Sequence, residues 1–128
     1  MQQQAATAYQ QVGRQTTSPR DLEANLLSKS ATALQRIRDD WNNTPRNDLA
    51  SALQFNRRLW TVFMSSVTRE DSTLPIDIRQ NIANLGIFIM KQSLALQLEP
   101  IPQKLDVLIN INRQLAAGLR AAAPQDAR

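Results

Sequence analysis

The stretch Leu74–Met90, LPIDIRQNIANLGIFIM, decides the fold, because its apolar residues repeat on two faces of one helix. Pro75 suits a first helical turn, where its missing N–H is not needed, and Asp77 suits the positive end of the dipole. At about 100° per residue, the two faces lie roughly 120–180° apart. The first face carries Ile78, Ile82, Leu85, Ile89 and Leu96, and the second carries Ile76, Ala83, Ile87, Met90 and Leu94. A helix apolar on two sides is usually packed between neighbours, so we expect this helix at the centre of the domain.

Gly86 lies between these two faces. Its missing side chain predicts that another backbone approaches the helix closely there.

Two further helices are indicated before this stretch and one after it, which gives four main helices near 19–41, 47–68, 75–97 and 103–119. Ser18 and Pro19 form an N-cap and first-turn pair, and Thr44 or Asn47 is expected to cap the second helix. Pro100 and Pro102 end the third helix, since neither can continue it. No segment alternates with period two for long enough to predict a strand. The sequence therefore predicts an all-α, small single-domain bundle, up-and-down or slightly irregular.

The inward faces follow from the same periodicity. We expect Trp60, Leu85 and Ile89 to be buried near the centre, and both Trp41 and Trp60 to belong to the core. The inward residues of the first helix are Leu22, Leu26, Leu34, Ile37 and Trp41; those of the second are Leu49, Leu53, Asn56, Trp60, Phe63 and Val67; those of the last are Leu105, Leu108, Ile109, Asn112, Leu115, Ala116 and Leu119.

The chain divides into a helical domain with a polar segment on each side. Residues 1–17 are rich in Gln, Ala and Thr and predict a short helix or a disordered segment. Residues 18–120 form the helical domain, and residues 121–128 read as a flexible tail.

The composition argues against an enzyme. The chain has no Cys and no His, which removes thiolate nucleophiles, the commonest general base and the usual zinc ligands. Asp39-Asp40 and Glu70-Asp71 are adjacent acids, but successive helical residues diverge by about 100° and do not converge on a substrate. We expect no catalytic residues, no metal and no cofactor.

The fifteen basic and eleven acidic residues give a formal charge of +4. The basic residues are scattered, often beside acids, as Arg38 is beside Asp39, which is typical of a solvated surface and not of a nucleic-acid tail. No apolar run reaches the ~18–20 residues of a membrane span, and no secretory signal peptide is visible. We therefore expect a cytoplasmic protein that binds no membrane.

Four residues depart from simple core-or-surface patterning and are our candidate partner-binding residues: Arg57, Asn84, Phe88 and Asn112. Arg57 lies at the edge of an apolar face, where its stem can pack while its guanidinium binds a carboxylate. Phe88 is either covered by a neighbouring helix or offered to a partner. Asn56, Asn84 and Asn112 either hydrogen-bond within the bundle and fix its packing, or line a groove that pairs with a partner's backbone.

Four blocks of the chain, in order, resemble the flagellar biosynthesis regulator FlaF family. They are residues 18–27 (SPRDLEANLL), 56–61 (NRRLWT), 74–90, and 105–113 (LDVLININR) with Gly118-Leu119. The resemblance spans about Ser18 to Leu119, and its specificity comes from the blocks occurring in register.

The resemblance implies a function in the flagellar system of α-proteobacteria. Such proteins promote flagellin production and act as helpers or secretion chaperones, so this chain is expected to bind unassembled flagellin in the cytoplasm, holding an amphipathic helix in an apolar groove. The alternative is a post-transcriptional regulator of flagellin mRNA, by direct RNA binding or through the partner regulator FlbT. No aromatic stacking platform or clustered basic stripe is evident, so we do not expect direct nucleic-acid binding.

Overall fold

A computed structural model describes residues 18–122, which form four helices and one short turn. The elements are α1 (Pro19–Asp39), a 3-10 turn (Trp41–Asn43), α2 (Arg46–Val67), α3 (Ile76–Leu98) and α4 (Lys104–Ala122). No strand occurs within this range. The all-α prediction is confirmed, and each helix end falls within three residues of its predicted position. The N-terminal segment 1–17 and most of the tail lie outside the described residues.

The helix starts follow the sequence at α1 but not at α2. Ser18 Oγ accepts a hydrogen bond from the Asp21 N–H at 3.0 Å, which confirms the predicted cap. The predicted cap of α2 by Thr44 or Asn47 is wrong, because Pro45 is the N-cap residue and no side chain caps the helix. Thr44 Oγ1 instead donates to the Asp40 carbonyl at 2.8 Å and holds the preceding turn closed.

The helices run up and down, and each packs against two neighbours. The most extensive interface joins the first helix to the last, α1 to α4, and α3 is flanked by α2 and, over a smaller area, by α4. Side-chain bonds at the two ends of α1 fix its antiparallel course beside α4: Arg38 with Asp106 at one end, and Arg120 with Asn25 at the other. The predicted up-and-down bundle is the observed architecture.

The core is built mainly by α1, α2 and α4, as their inward faces predict. Trp60 is fully buried and meets the Phe63 ring edge-on, with 5.7 Å between ring centroids. Ile89 is also fully buried, whereas Leu85 is half-buried at the margin. Trp41 likewise only packs against the core's edge, and the Arg46 guanidinium lies 5.0 Å from its ring centroid.

The predicted central position of α3 is wrong. Its first face is buried at Ile82, Ile89 and Leu96, but Ile78 on the same face is exposed. Its second face has no covering helix among the described residues, so most of its large apolar side chains meet solvent. On α1, Leu22 also departs from the prediction and is exposed. Periodicity identifies apolar faces, but it does not say which of them a neighbour covers.

A buried hydrogen-bond network connects α1, α2 and α4. Ser30 Oγ and Asn112 Nδ2 both donate to Asn56 Oδ1 at 2.8 Å, and Trp60 Nε1 donates to Asn112 Oδ1 at 2.9 Å. All four side chains are buried. Buried amides are costly unless bonded, so this network fixes how the three helices are rotated against one another. The structure therefore agrees with the packing interpretation of Asn56 and Asn112.

Candidate binding groove between α2 and α3

An open groove of about 480 Å³ runs between α2 and α3 on the uncovered side of α3. We call it the α2–α3 groove, and it is lined by Thr61, Met64, Ser65, Thr68, Ile87, Met90 and Lys91. The lining is predominantly apolar, with hydroxyl groups along the α2 wall. Met64 and Met90 give it flexible, polarisable side chains that can adapt to the shape of an apolar partner.

The depth of the groove depends on Gly86. The Met64 side chain lies against the Gly86 backbone, and a Cβ built on Gly86 would lie 2.0 Å from Sδ and 2.8 Å from Cγ of Met64. The close approach predicted at Gly86 therefore occurs, but a side chain and not a backbone makes it. Because Gly86 has no side chain, it leaves a notch in the surface of α3. Met64 occupies this notch, so its side chain lies at the floor of the groove.

A row of exposed apolar side chains on α3 lies on the same helical face as Ile87, which lines this groove. We call it the α3 ridge: Ile76 (66% exposed), Ile87 (51%), Leu94 (57%) and Leu98 (79%). These residues share one helical face because their spacings of 11, 7 and 4 are close to whole numbers of turns. Isolated exposed leucines are ordinary, but a row of four that continues the face of an apolar groove is typical of a surface that binds a partner.

Beyond their first turns, the two helices that form the groove carry basic residues but no acidic ones. No acidic residue occurs from position 49 to 69 or from 78 to 98. Lys91 lines the groove on the α3 side. On α2, Arg58 is exposed one turn before Thr61, on the face that Thr61 and Ser65 present to the groove. Neither Lys91 nor Arg58 forms an ion pair within residues 18–122.

The predicted partner-binding residues do not form one surface. Arg57 lies beside the groove, where its Nη1 donates to Gln97 Oε1 of α3 at 3.3 Å. Asn84 and Phe88 are exposed one turn apart on α3, with Phe88 40% exposed. Neither of them lines the groove.

Asn112 lies in the core, where it contacts two buried side chains of α2. It is fully buried and is both the acceptor for Trp60 and a donor to Asn56. It has no exposed surface to offer a partner, so we do not carry it into the proposed binding site. From the sequence, an asparagine on an inward helical face can either bond within the core or bind a partner. Only the positions of Trp60 and Asn56 in the folded bundle show that Asn112 bonds within the core.

The groove residues themselves were missed as a site, although the sequence contained a signal for them. Periodicity alone predicts that the second apolar face of α3, with Ile87, Met90 and Leu94, is buried. Together with the absence of acids over residues 49–69 and 78–98, the same pattern also describes an uncovered docking face. Which helix covers a face depends on the packing of α1 against α4.

Two further observations concern residues 18–122. No group of three or more acidic side chains there is arranged to hold a metal ion. None of the helices in that range combines the length and apolar character needed to cross a membrane.

The fold and the groove define a small all-α helical bundle with an uncovered apolar face. The model of the family described as flagellar protein FlaF matches residues 5–119, so this chain belongs to the FlaF family of flagellar proteins. That family is not known as a family of enzymes. Searches among curated proteins and among solved structures found no match.

Proposed function

We propose that this protein binds unassembled flagellin as a cytoplasmic helper or secretion chaperone and promotes flagellin synthesis. Membership of a flagellar family supports the flagellar context. The observation that carries the binding mode is the α3 ridge beside the α2–α3 groove. In this mode an amphipathic helix of flagellin lies along the groove, with its apolar side chains on the α3 ridge and on the two methionines.

The ridge offers apolar surface that a bound helix can cover. Complete burial of a Leu or Ile side chain is worth about 1.5–3 kcal/mol. Since each ridge residue is already about half covered or less, a partner gains on the order of 1 kcal/mol at each of the four positions. Micromolar binding corresponds to about −8 kcal/mol, and association itself has a cost. The ridge therefore supplies part of the affinity, and contacts within the α2–α3 groove must supply the rest.

Arg57 remains in this proposed site because it lies beside the groove, next to Gln97. Asn84 and Phe88 are proposed as outlying contacts for a partner that extends around α3.

The test is a pair of leucine substitutions of matched exposure. Leu94→Gln removes a ridge side chain that is 57% exposed, and Leu22→Gln removes one on α1 that is 55% exposed. Binding of purified flagellin monomer is measured by isothermal titration calorimetry, and folding by circular dichroism. Leu94→Gln is expected to weaken binding about fivefold or more, while Leu22→Gln leaves it unchanged. Equal effects of the two substitutions would contradict the groove as the binding site.

The alternative function, control of flagellin mRNA directly or through FlbT, makes different predictions. Binding to RNA phosphates weakens steeply with salt, whereas binding in an apolar groove does not. Pull-downs with flagellin, FlbT and flagellin mRNA supplied separately distinguish these partners. Retention of FlbT or mRNA but not of flagellin would replace the proposed function by the alternative.

A further inference from the structure

We propose that the α2–α3 groove selects an amphipathic helix whose apolar stripe has carboxylates on both sides, recognised by Arg58 on one rim and Lys91 on the other. This rests on the proposed function in one respect only, that the groove binds a helix. It adds the chemistry of the partner, which neither the family nor the apolar ridge specifies.

The positions of the two cations support the inference. Lys91 lines the groove from α3, and Arg58 shares the α2 face that lines it with Thr61 and Ser65. The two helices are antiparallel neighbours, since Arg57 of α2 contacts Gln97 of α3 while Met64 lies against Gly86. By this register, positions 58 and 91 lie within about one turn of each other along the groove. A helix placed between them therefore meets a cation on each flank.

The surroundings make these charges available to a partner. Some cations elsewhere in the bundle are partly neutralised by nearby acids, as Arg38 is by Asp106 and Lys104 is by Glu99. Arg58 and Lys91 are exposed and have no such partner within residues 18–122. The stretches without acids, 49–69 and 78–98, exclude a carboxylate from their own helix bodies. A helix with carboxylates on its flanks would be attracted to this rim, and a lysine-flanked helix would be repelled.

Protein is the occupant that this surface favours over nucleic acid. The groove between the cations is lined mainly by apolar groups and contains no aromatic side chain on which a base could stack. An apolar stripe with acidic flanks matches both features of the surface.

The experiment uses two fluorescent helical peptides with the same leucine stripe, one flanked by glutamate and one by lysine. Fluorescence anisotropy with the full chain at 50 mM salt is expected to show about tenfold tighter binding of the glutamate peptide, the sum of two rim ion pairs. The preference should shrink at 300 mM salt, since exposed charges are screened. Leu94→Gln should weaken binding of the glutamate peptide if it lies in the groove.

The decisive variant is the double substitution Arg58→Glu and Lys91→Glu, which should abolish or reverse the preference. Its control is Lys29→Glu with Arg36→Glu, two exposed cations on α1 that make the same change in net charge. The inference is overturned if the two peptides bind equally or not at all, if the control alters the preference as much, or if a single-stranded RNA of similar length binds more tightly than either peptide. Flagellin binding that depends on Leu94, found together with equal peptide binding, would leave the proposed function intact while this inference fails.

Discussion

Gly86→Ala is expected to destabilise the bundle, although the same change usually stabilises a helix. Replacing glycine by alanine in a helix interior gains about 1 kcal/mol from propensity. At position 86 the new Cβ would lie 2.0 Å from Sδ and 2.8 Å from Cγ of Met64. Because Cγ is also too close, moving the end of the side chain is not enough, and Met64 must turn out of the notch from its base. Overpacking of this kind costs about 1–3 kcal/mol, so the net loss should be about 1 kcal/mol.

Two comparisons isolate this contact. Gly118 lies within α4 and has no atom within 4 Å of a built Cβ, so Gly118→Ala should stabilise by up to about 1 kcal/mol. In a Met64→Ala background the obstacle is gone, and Gly86→Ala should become stabilising. The coupling free energy between positions 64 and 86 is therefore expected to be about 2 kcal/mol.

The changes in free energy of unfolding are measured by urea unfolding, with circular dichroism and fluorescence as the two signals. A loss of 1 kcal/mol should also lower the melting temperature by about 3–5 °C. In binding assays, Gly86→Ala should weaken flagellin binding as well, because a displaced Met64 enters the α2–α3 groove. If Gly86→Ala stabilised the protein as much as Gly118→Ala does, the reasoning about Met64 would be refuted.

Three further predictions concern the core and the exposed face of α3. Asn112→Ala should cost about 2–4 kcal/mol, since it leaves Trp60 Nε1 without its acceptor and opens a cavity; a loss below 1 kcal/mol in urea unfolding would contradict the network. Ser93 is fully buried and its hydroxyl has no partner within residues 18–122, so Ser93→Ala should raise the free energy of unfolding by about 0.5–1.5 kcal/mol, and a decrease would reveal a bond to that hydroxyl. Phe88→Ala should lower the melting temperature by a few degrees at most and weaken flagellin binding less than Leu94→Gln, as measured by calorimetry.

The helices could be predicted from the sequence because local signals mark them. Ser18 and Pro19 begin α1 as expected, and the prolines at 100 and 102 end α3. The predicted cap of α2 by Thr44 is wrong because a threonine before a proline can either cap a helix or close a turn. In the structure the Asp40 carbonyl is close enough to accept a hydrogen bond from the Thr44 hydroxyl. Whether Thr44 caps α2 or closes the preceding turn depends on the direction of the chain after the end of α1.

The candidate site was less predictable because it depends on what is left uncovered. Ile89 and Leu94 are equally apolar in sequence, yet one is fully buried and the other is 57% exposed. The difference arises because α1 packs most extensively against α4 and leaves α3 at the side of the bundle. Asn84 and Asn112 present the same ambiguity, since only the contacts made in the folded bundle separate an exposed amide from a buried one.

The pairing of the first helix with the last has a consequence for how the domain forms during synthesis. Arg120 and Asn25, which are joined by a hydrogen bond between α4 and α1, are 95 positions apart in the sequence. The largest interface is therefore also the one whose two helices are farthest apart along the chain. A ribosome that has completed α1, α2 and α3 has made the whole groove but not the helix that covers α1. The part of α1 that packs against α4 therefore stays open until α4 emerges, and the fold closes in a late step.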